Sequence, residues 1–294
     1  MVDIVHHGII GMAGAGVAGA MGQPEAAVGF LLGSLLPDLD VLFIALGKSR
    51  FLRLHQGVTH SLAGIPVIGA LAAAIFAAGA GISFVPMAMG IIAGMALHVI
   101  LDLLNTFGVR ILWPLPRRIS FDAFFFIDAY VLGASLLFAC AAWFGSHPVA
   151  AAVTWAVFVS AYASARVIRR RRIVARHRLT TAVPSGIFPF TWFVARREQG
   201  LVCTGVVEGL GGRLRWTGKV AETDTTTLEA LRTGPAFTDL EAALKMFVPV
   251  SVTAEGETKV VLSRCVAVPN FGNRYGETRS VIADGKVISE DSRI

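Results

Sequence analysis

The chain has 294 residues, 54% of them hydrophobic, and a mean hydropathy of +0.66, but these averages combine a strongly apolar part before residue 165 with a charged part after it. The net charge of +6 arises from one arginine-rich run that follows an apolar stretch, which is typical of a cytoplasmic anchor against anionic lipid, so nucleic-acid binding is not expected. Three widely spaced cysteines without a CxxC pair exclude a disulfide framework and a thiolate zinc site.

The change in composition predicts two domains joined by a basic segment. We assign residues 1–165 to an integral-membrane domain that holds a metal site, 166–183 to a juxtamembrane linker and 184–294 to a cytoplasmic domain. The predicted fold is mainly α: a polytopic helical membrane bundle with a broken N-terminal helical pair, plus a small C-terminal α+β domain. Anionic lipid headgroups are the expected partner of the basic run, which consists of Arg166, Arg169, Arg170, Arg171, Arg172, Arg176 and Arg178.

Apolar stretches of the first domain predict its helices. A membrane span needs about 20 apolar residues, and this length is met by 62–82, 85–107, 124–144 and 149–165. Residues 8–21 are too short to cross alone, and 26–46 contain Pro37, Asp38 and Asp40, so these two stretches are predicted to form the broken pair. No Lys or Arg precedes residue 8; the basic region of a signal peptide is missing, and we expect the N-terminal stretch to be retained.

Basic residues occupy alternate connections between these stretches. Lys and Arg occur in 48–53, in 110–118 and in the arginine run, whereas the intervening connections contain none. Because cytoplasmic loops carry the excess of positive charge, the chain is predicted to be a bacterial-type inner-membrane protein with its C-terminus in the cytoplasm. The same topology brings several His- and Asp-containing helix ends to the cytoplasmic face.

These histidines and aspartates are the candidate metal ligands. Ionisable groups at membrane depth are rare and normally face a bundle interior or a wet cavity. His98 and Asp102 have the i, i+4 spacing of one helix face, although a buried His–Asp hydrogen bond has the same spacing. Pro37 disfavours helix at Leu36, so the chain is expected to leave helical geometry just before two carboxylates. The full set is His7, Asp38, Asp40, His55, His60, His98 and Asp102.

Several histidines with several carboxylates and no cysteine suit zinc, with manganese or iron as alternatives. The candidates outnumber the ligands that one zinc ion needs, which favours two ions. Two metal ions can activate a bridging water, polarise a phosphoryl or acyl oxygen and neutralise a leaving group. The residue types therefore favour hydrolytic chemistry.

Two aspartates lie outside this set. Asp122 is expected to cap a helix that begins near Ala123. Asp128 lies one turn into an apolar stretch and is a candidate proton-transfer group or a buried hydrogen-bonding group; whether either joins the site is open. In the C-terminal part, the aromatic segment 187–193 is a candidate membrane-surface segment, and strand-like runs occur at 201–208, 213–223, 248–254, 257–268 and 278–288.

Four ordered motifs in residues 1–145 carry a family resemblance: His7-Gly-Ile-Ile-Gly11, Gly33-Ser-Leu-Leu-Pro-Asp-Leu-Asp40, His55-Gln-Gly-Val-Thr-His-Ser61 and His98-Val-Ile-Leu-Asp102. The chain resembles the membrane-bound metal-dependent hydrolases, also called the LexA-regulated, inner-membrane-associated hydrolases. That family is in turn similar to the zinc-dependent phospholipase C and P1 nuclease group, helical enzymes that cleave phosphate esters. The resemblance implies that the metal ligands are His7, Asp38, Asp40, His60, His98 and Asp102.

The chain departs from the family pattern at two positions. Members often have Thr where His6 stands, and an arginine directly after the first histidine of the third motif, where this chain has Gln56. Should that arginine bind a substrate phosphate, Arg53 is the candidate substitute.

These observations lead to one principal hypothesis and two alternatives. The chain is expected to be a dizinc membrane hydrolase that cleaves a lipid-borne or membrane-proximal ester, with a phosphoester favoured by the resemblance alone. A metal-activated water attacks at the cytoplasmic face, and His55 or the uncoordinated aspartate, with Asp40 as the candidate, transfers protons. One alternative is a non-catalytic metal-binding scaffold that recruits a partner through the C-terminal domain. The other is a metal or proton transporter that uses Asp128.

Overall fold

The computed structural model describes residues 4–46, 56–125, 127–245, 247–265 and 276–293. Within these ranges the chain forms two compact units. The first contains residues 4–43 and 56–168, and the second contains residues 169–293 together with 44–46. The first unit is helical, and the second combines two β-sheets with short helices.

Among the described residues, the helical unit contains six α-helices, of which the last continues into the second unit. Short 3₁₀ segments at Leu36–Leu46 and Val58–His60 connect some of them. The six are α1 (Ile4–Ala20), α2 (Pro24–Leu35), α3 (Gly64–Ala80), α4 (Phe84–Leu104), α5 (Ala129–Phe144) and α6 (Pro148–His177).

In the part of the chain that the structure describes, three helical segments are long and apolar enough to cross a membrane: Pro24–Phe43, Phe84–Leu104 and Pro148–His177. The predicted spans at 85–107 and 149–165 fall on two of them. The predicted spans at 62–82 and 124–144 are shorter helices, with 17 residues in α3 and 16 in α5. Of the predicted broken pair, α1 is short, but 24–43 reaches spanning length.

The predicted break at Pro37 is a change of helix type. Helix α2 ends at Leu35 and a 3₁₀ helix follows without interruption, while Leu36 keeps right-handed helical dihedral angles (φ −59°, ψ −40°). A 3₁₀ helix has three residues per turn and tighter hydrogen bonds. The sequence predicted that the chain leaves helical geometry before Asp38. Instead, the chain stays helical and changes to the tighter 3₁₀ form.

Helices α2 and α4 cross in close contact at glycines. A Cβ atom added to Gly33 would collide with the carbonyl oxygen of Ile91, and one added to Gly94 would collide with the carbonyl oxygen of Phe30. Small residues allow helix backbones to approach closely inside a membrane. The crossing brings the end of α2 beside the middle of α4, where His98 lies.

The start of α5 differs from the prediction. The helix begins at Ala129, and its N-cap is Asp128, whose carboxylate accepts hydrogen bonds from the backbone N–H groups of Tyr130 and Val131. Asp122 instead lies in the preceding connection with a positive φ of 54°. The expected cap at Asp122 was wrong, because the apolar residues 123–125 are buried in a non-helical connection and do not start the helix.

The second unit consists of two four-stranded antiparallel sheets. The first has the order β1-β2-β3-β4 and the second β5-β6-β7-β8. Two short helices, α7 (Thr225–Leu231) and α8 (Pro235–Ala243), lie between the sheets in sequence. The strands are β1 (Thr181–Pro184), β2 (Trp192–Glu198), β3 (Leu201–Glu208), β4 (Arg213–Ala221), β5 (Phe247–Glu255), β6 (Thr258–Cys265), β7 (Glu277–Ala283) and β8 (Lys286–Arg293).

The fold is therefore mixed α+β, and the prediction of a mainly α protein was only partly right. Strands β3 to β6 follow the predicted runs closely, and the run at 278–288 divides into two strands at the turn Asp284-Gly285, where both residues have positive φ. The sequence reading missed β1 and β2. Residues 166–177, assigned to the linker, are the end of α6.

Candidate metal centre

Five ligand-type side chains from four elements converge inside the helical unit. Helix α4 supplies His98 and Asp102 from one face, as their spacing predicts. The remaining three come from α1, from the 3₁₀ helix after α2, and from the short 3₁₀ turn before α3: His7, Asp38 and His60. Four of the five side chains are at most 3% exposed, and Asp38 is 16% exposed.

The Asp102 carboxylate is at the centre of this cluster. Its Oδ1 atom lies 3.3 Å from His7 Nε2, and its Oδ2 atom lies 3.3 Å from His60 Nε2 and 3.5 Å from His98 Nε2. The two last-named nitrogens are 3.2 Å apart. Asp38 Oδ1 completes the group at 3.5 Å from His98 Nε2 and 4.0 Å from His60 Nε2.

These spacings match those of ligands around one small divalent ion. Zinc binds nitrogen and oxygen ligands at about 2.0–2.1 Å, so neighbouring ligand atoms of a tetrahedral site are about 3.3–3.4 Å apart. His60, His98 and the Oδ2 atom of Asp102 fall close to this value. Two overlapping groups offer ligand atoms within 4.8 Å of one another: His7, His98 and Asp102, and Asp38, His60 and His98.

Hydrogen bonds on the far side of two imidazole rings fix their orientation. His98 Nδ1 lies 2.7 Å from the Ser34 carbonyl oxygen and donates to it, since a carbonyl can only accept. His60 Nδ1 lies 2.9 Å from Thr59 Oγ1, whose hydroxyl donates to Asp40 Oδ2 at 3.2 Å, so this nitrogen is also the donor. In neutral rings both Nε2 atoms then carry lone pairs directed at the cluster.

The cluster thus brings several acceptor atoms close together. Two imidazole lone pairs and a carboxylate oxygen within about 3.5 Å of one another repel, and burial strengthens that repulsion. Burial also lowers the pKa of His60, which disfavours the protonated ring that could relieve the repulsion. A divalent cation coordinated between these atoms satisfies all of them, so the residues fit a metal ion.

Asp40 has a different position from the other predicted ligands. Its carboxylate accepts hydrogen bonds from the backbone N–H of Gln56 at 2.9 Å and from Thr59, and it lies 3.7 Å from His60 Nδ1. It therefore contacts His60 on the side away from the cluster. Buried carboxylates in this position orient a ligating histidine and raise its basicity.

His55 and His6 are not among the converging side chains that the structure describes. His55, the candidate proton-transfer residue, lies outside the described residues. His6 has a different contact from its neighbour His7: its Nε2 atom lies 3.1 Å from Ser135 Oγ, and its ring centroid is 6.0 Å from that of His7. His7, the residue of this pair that was named as a ligand, lies in the cluster.

The sequence reading missed three supporting groups: the Ser34 carbonyl, Thr59 and Arg118. The guanidinium of Arg118 donates to Gln56 Oε1 at 2.6 Å and to the Gly108 carbonyl at 3.3 Å. The backbone N–H of Gln56 in turn donates to Asp40. Arg118 therefore contacts the residue that binds the Asp40 carboxylate. No local pattern indicates this pairing, because the two residues are 62 positions apart.

A second buried polar group lies elsewhere in the helical unit. The guanidinium of Arg166 lies 3.7 Å from the Asp128 carboxylate, and its Nε atom donates to the Ala123 carbonyl at 3.1 Å. The hydroxyl of Tyr162 lies 3.3 Å from the same carboxylate. Asp128 is thus a helix cap with its own cationic partner, which weakens the transporter alternative that was based on it.

Comparison with known proteins relates the chain to a bacterial protein and to a family of inner membrane proteins. The uncharacterized protein YfhP of Bacillus subtilis (strain 168) is 25% identical over 189 residues, which cover 58% of this chain and 56% of that protein. No solved structure matches the chain. The model of the YdjM inner membrane protein family matches residues 1–173, which include all five converging side chains. The chain belongs to the YdjM inner membrane protein family.

Proposed function

We propose that the chain is a membrane-embedded, metal-dependent hydrolase that cleaves a lipid-borne or membrane-proximal ester at the cytoplasmic face. The observation that carries this proposal is the convergence of His7, Asp38, His60, His98 and Asp102 at spacings suited to a divalent ion. A bound zinc ion would polarise the scissile group and supply an activated water at neutral pH. The protein residues hold and orient the ion and leave one side accessible.

Asp38 marks the accessible side of the cluster. It is 16% exposed, whereas the four other side chains are almost fully buried. Its neighbour Leu39 is 51% exposed and Leu42 is 68% exposed, so exposed apolar side chains follow Asp38 in the chain. All three belong to the segment 24–43, which is apolar enough to lie in a membrane. These exposed apolar side chains favour a substrate that carries an acyl chain beside its ester over a freely soluble substrate.

We propose two ions that share Asp102. His98 can ligate only through Nε2, because its Nδ1 atom is bound to the Ser34 carbonyl. The two overlapping ligand groups therefore cannot both take His98 at once, whereas the carboxylate of Asp102 has one oxygen toward His7 and the other toward His60. Metal analysis of the purified protein should give two equivalents of zinc; a single equivalent would contradict the sharing of Asp102 but not the metal dependence.

Arg118 supports a phosphoester as the substrate. Guanidinium groups bind phosphate oxygens through paired, charge-assisted hydrogen bonds, and Arg118 lies on the Gln56 segment beside Asp40. Family members often have an arginine at the position of Gln56, and we propose that Arg118 takes over its role in this chain. Arg118→Gln should lower kcat/KM for a phosphoester by about 10- to 100-fold, the equivalent of one charged hydrogen bond. Arg117→Gln, at the exposed neighbouring position, is the matched control.

The decisive experiment uses purified full-length protein in mixed micelles containing phosphodiester, phosphomonoester and acyl-ester substrates. Hydrolysis should require zinc, stop with a chelator, and disappear in His98→Ala. Activity that survives both the chelator and this substitution would contradict the proposal. Stoichiometric zinc binding without turnover of any of the three classes would also contradict it, and would favour the metal-binding scaffold instead.

A further inference from the structure

The arginines of the basic run fall into two groups. Four of them donate hydrogen bonds to backbone carbonyls: Arg166 to Ala123, Arg169 to Gly209 and Leu210, Arg170 to Ala182 and Arg176 to Gly211. The side chains of Arg171, Arg172 and Arg178 are exposed, and they form no hydrogen bond or ion pair with any residue that the structure describes. Only part of the run is therefore available to lipid headgroups.

A rigid turn beside this run exposes apolar side chains. Residues 185–191 connect β1 to β2, and the Ser185 hydroxyl accepts hydrogen bonds from the backbone N–H groups of Ile187 and Phe188. The backbone N–H of Ser185 donates to the Thr191 carbonyl at 3.0 Å and closes the turn. In this conformation Ile187 is 67% exposed, Phe188 62% and Phe190 45%.

The turn between β3 and β4 extends the same apolar surface. Its Leu210 is 75% exposed. In an antiparallel sheet of order β1-β2-β3-β4, the β1–β2 and β3–β4 turns lie at one end, and the β2–β3 turn lies at the other. That opposite turn is Gln199-Gly200, which is polar. One end of the sheet is therefore apolar and the other is not.

Contacts with the part of α6 that belongs to the second unit show which end of the sheet lies beside Arg169. Arg169, the first residue of α6 in the second unit, has its guanidinium 5.3 Å from the centre of the Phe190 ring and donates to the Gly209 carbonyl. Arg176, two turns later, reaches only Gly211. The apolar turns thus lie beside the start of the basic segment, directly after the apolar residues of a candidate membrane span.

We propose that the turns 185–191 and 209–212 form a membrane-interface anchor. Ile187, Phe188, Phe190 and Leu210 enter the boundary between headgroups and acyl chains, and Arg171 and Arg172 contact anionic headgroups. Aromatic side chains favour this layer, basic residues bind anionic lipid close to it, and a contiguous exposed apolar patch beside a span marks a membrane contact. The anchor limits how far the second unit can move from the bilayer.

Lipid-depth measurements on the full-length protein in vesicles test this anchor. Cys140, Cys203 and Cys265 are replaced by alanine, and a single cysteine is introduced by Phe188→Cys or, as control at the polar end, by Gln199→Cys. Each is labelled with an environment-sensitive dye in vesicles of phosphatidylcholine with phosphatidylglycerol. A quencher attached high on the acyl chain should quench the label at 188 at least severalfold more than the label at 199.

Equal quenching at the two positions would overturn the proposal. A label at 188 that is shielded from water but not quenched by lipid would also overturn it, because that result indicates a protein partner. If the cysteine-free background does not fold, hydrogen exchange of the unmodified chain gives the same test: amides 186–190 should be protected in vesicles relative to detergent, and amides 198–201 should not. In pure phosphatidylcholine the protection should decrease, and Arg171→Gln with Arg172→Gln should remove this dependence on lipid charge.

Discussion

Two buried polar clusters in the helical unit have opposite electrostatic compositions. The cluster around Asp128 contains its own cation, Arg166, and its carboxylate also caps α5. The cluster around Asp102 contains carboxylates and imidazole lone pairs directed at one another. A buried charge that is paired and hydrogen-bonded can be purely structural, whereas a buried group of acceptors requires a cation from outside. Among the described residues, the Arg166 partner distinguishes the structural cluster at Asp128 from the candidate metal-binding cluster at Asp102.

The largest expected effect comes from the adjacent histidines of α1. His7→Ala should abolish binding of at least one metal ion, since its Nε2 atom lies 3.3 Å from Asp102 Oδ1. His6→Ala is the matched control and should keep the full metal content, because His6 contacts Ser135 instead. Metal analysis of both purified variants checks this. Loss of metal from both, or from neither, would contradict the distinction between the two residues.

The next largest effect should be on stability and should come from the other cluster. Arg166→Ala leaves the buried Asp128 carboxylate without its cation, which destabilises proteins by about 3–5 kcal/mol. Denaturant unfolding in detergent measures this, with the exposed Arg171→Ala on the same helix as control. The metal content of the folded fraction should remain unchanged. A variant with normal stability but less metal would show that the two clusters do not have separate roles.

A smaller effect is expected from Thr59, which links His60 to Asp40. Thr59→Val removes the hydroxyl that accepts from His60 Nδ1 and donates to Asp40. Loss of such a supporting group typically weakens metal affinity by about 10- to 100-fold. Thr59→Ser keeps the hydroxyl and should bind normally. A competition titration with a fluorescent zinc chelator measures both, and equal affinity of the two variants would exclude this supporting role.

The smallest expected effect concerns the Tyr162 hydroxyl. Tyr162→Phe removes one hydrogen bond to Asp128 and should lower the free energy of unfolding by about 1 kcal/mol. The Arg166 pair remains, so the carboxylate keeps its main partner. The same unfolding assay applies. A loss as large as that of Arg166→Ala would mean that the hydroxyl, and not the guanidinium, is the principal partner of Asp128.

Local patterns in the sequence were sufficient for some residues of the site. His98 and Asp102 share a helix face whatever the rest of the chain does, so their spacing alone indicated their proximity. The two carboxylates of Asp38 and Asp40 point in different directions in any helix, but the sequence did not reveal which of them faces the cluster. In a 3₁₀ helix, residues two positions apart point about 120° away from each other, so one carboxylate faces the cluster and the other faces Thr59 and Gln56.

Long-range partners account for most of what the sequence could not indicate. Asp128, the N-cap of α5, has its cationic partner, Arg166, 38 residues later in the chain. The missed strands β1 and β2 flank a turn rich in Pro, Gly and Phe, and this turn obscures their alternation. Conversely, β3 to β6 were predictable because alternating residues and clear turns define them locally.

The close crossing of α2 and α4 implies that Gly33 and Gly94, which have no ligand atom, determine the position of His98 in the cluster. Ser34 follows Gly33 directly, and its carbonyl holds His98, one turn after Gly94. One extra methyl group at either glycine would move the helices apart and rotate the imidazole out of register with Asp102. In an unbiased screen for loss of activity, alanine at Gly33 or Gly94 should therefore resemble alanine at His98, although both variants keep every ligand.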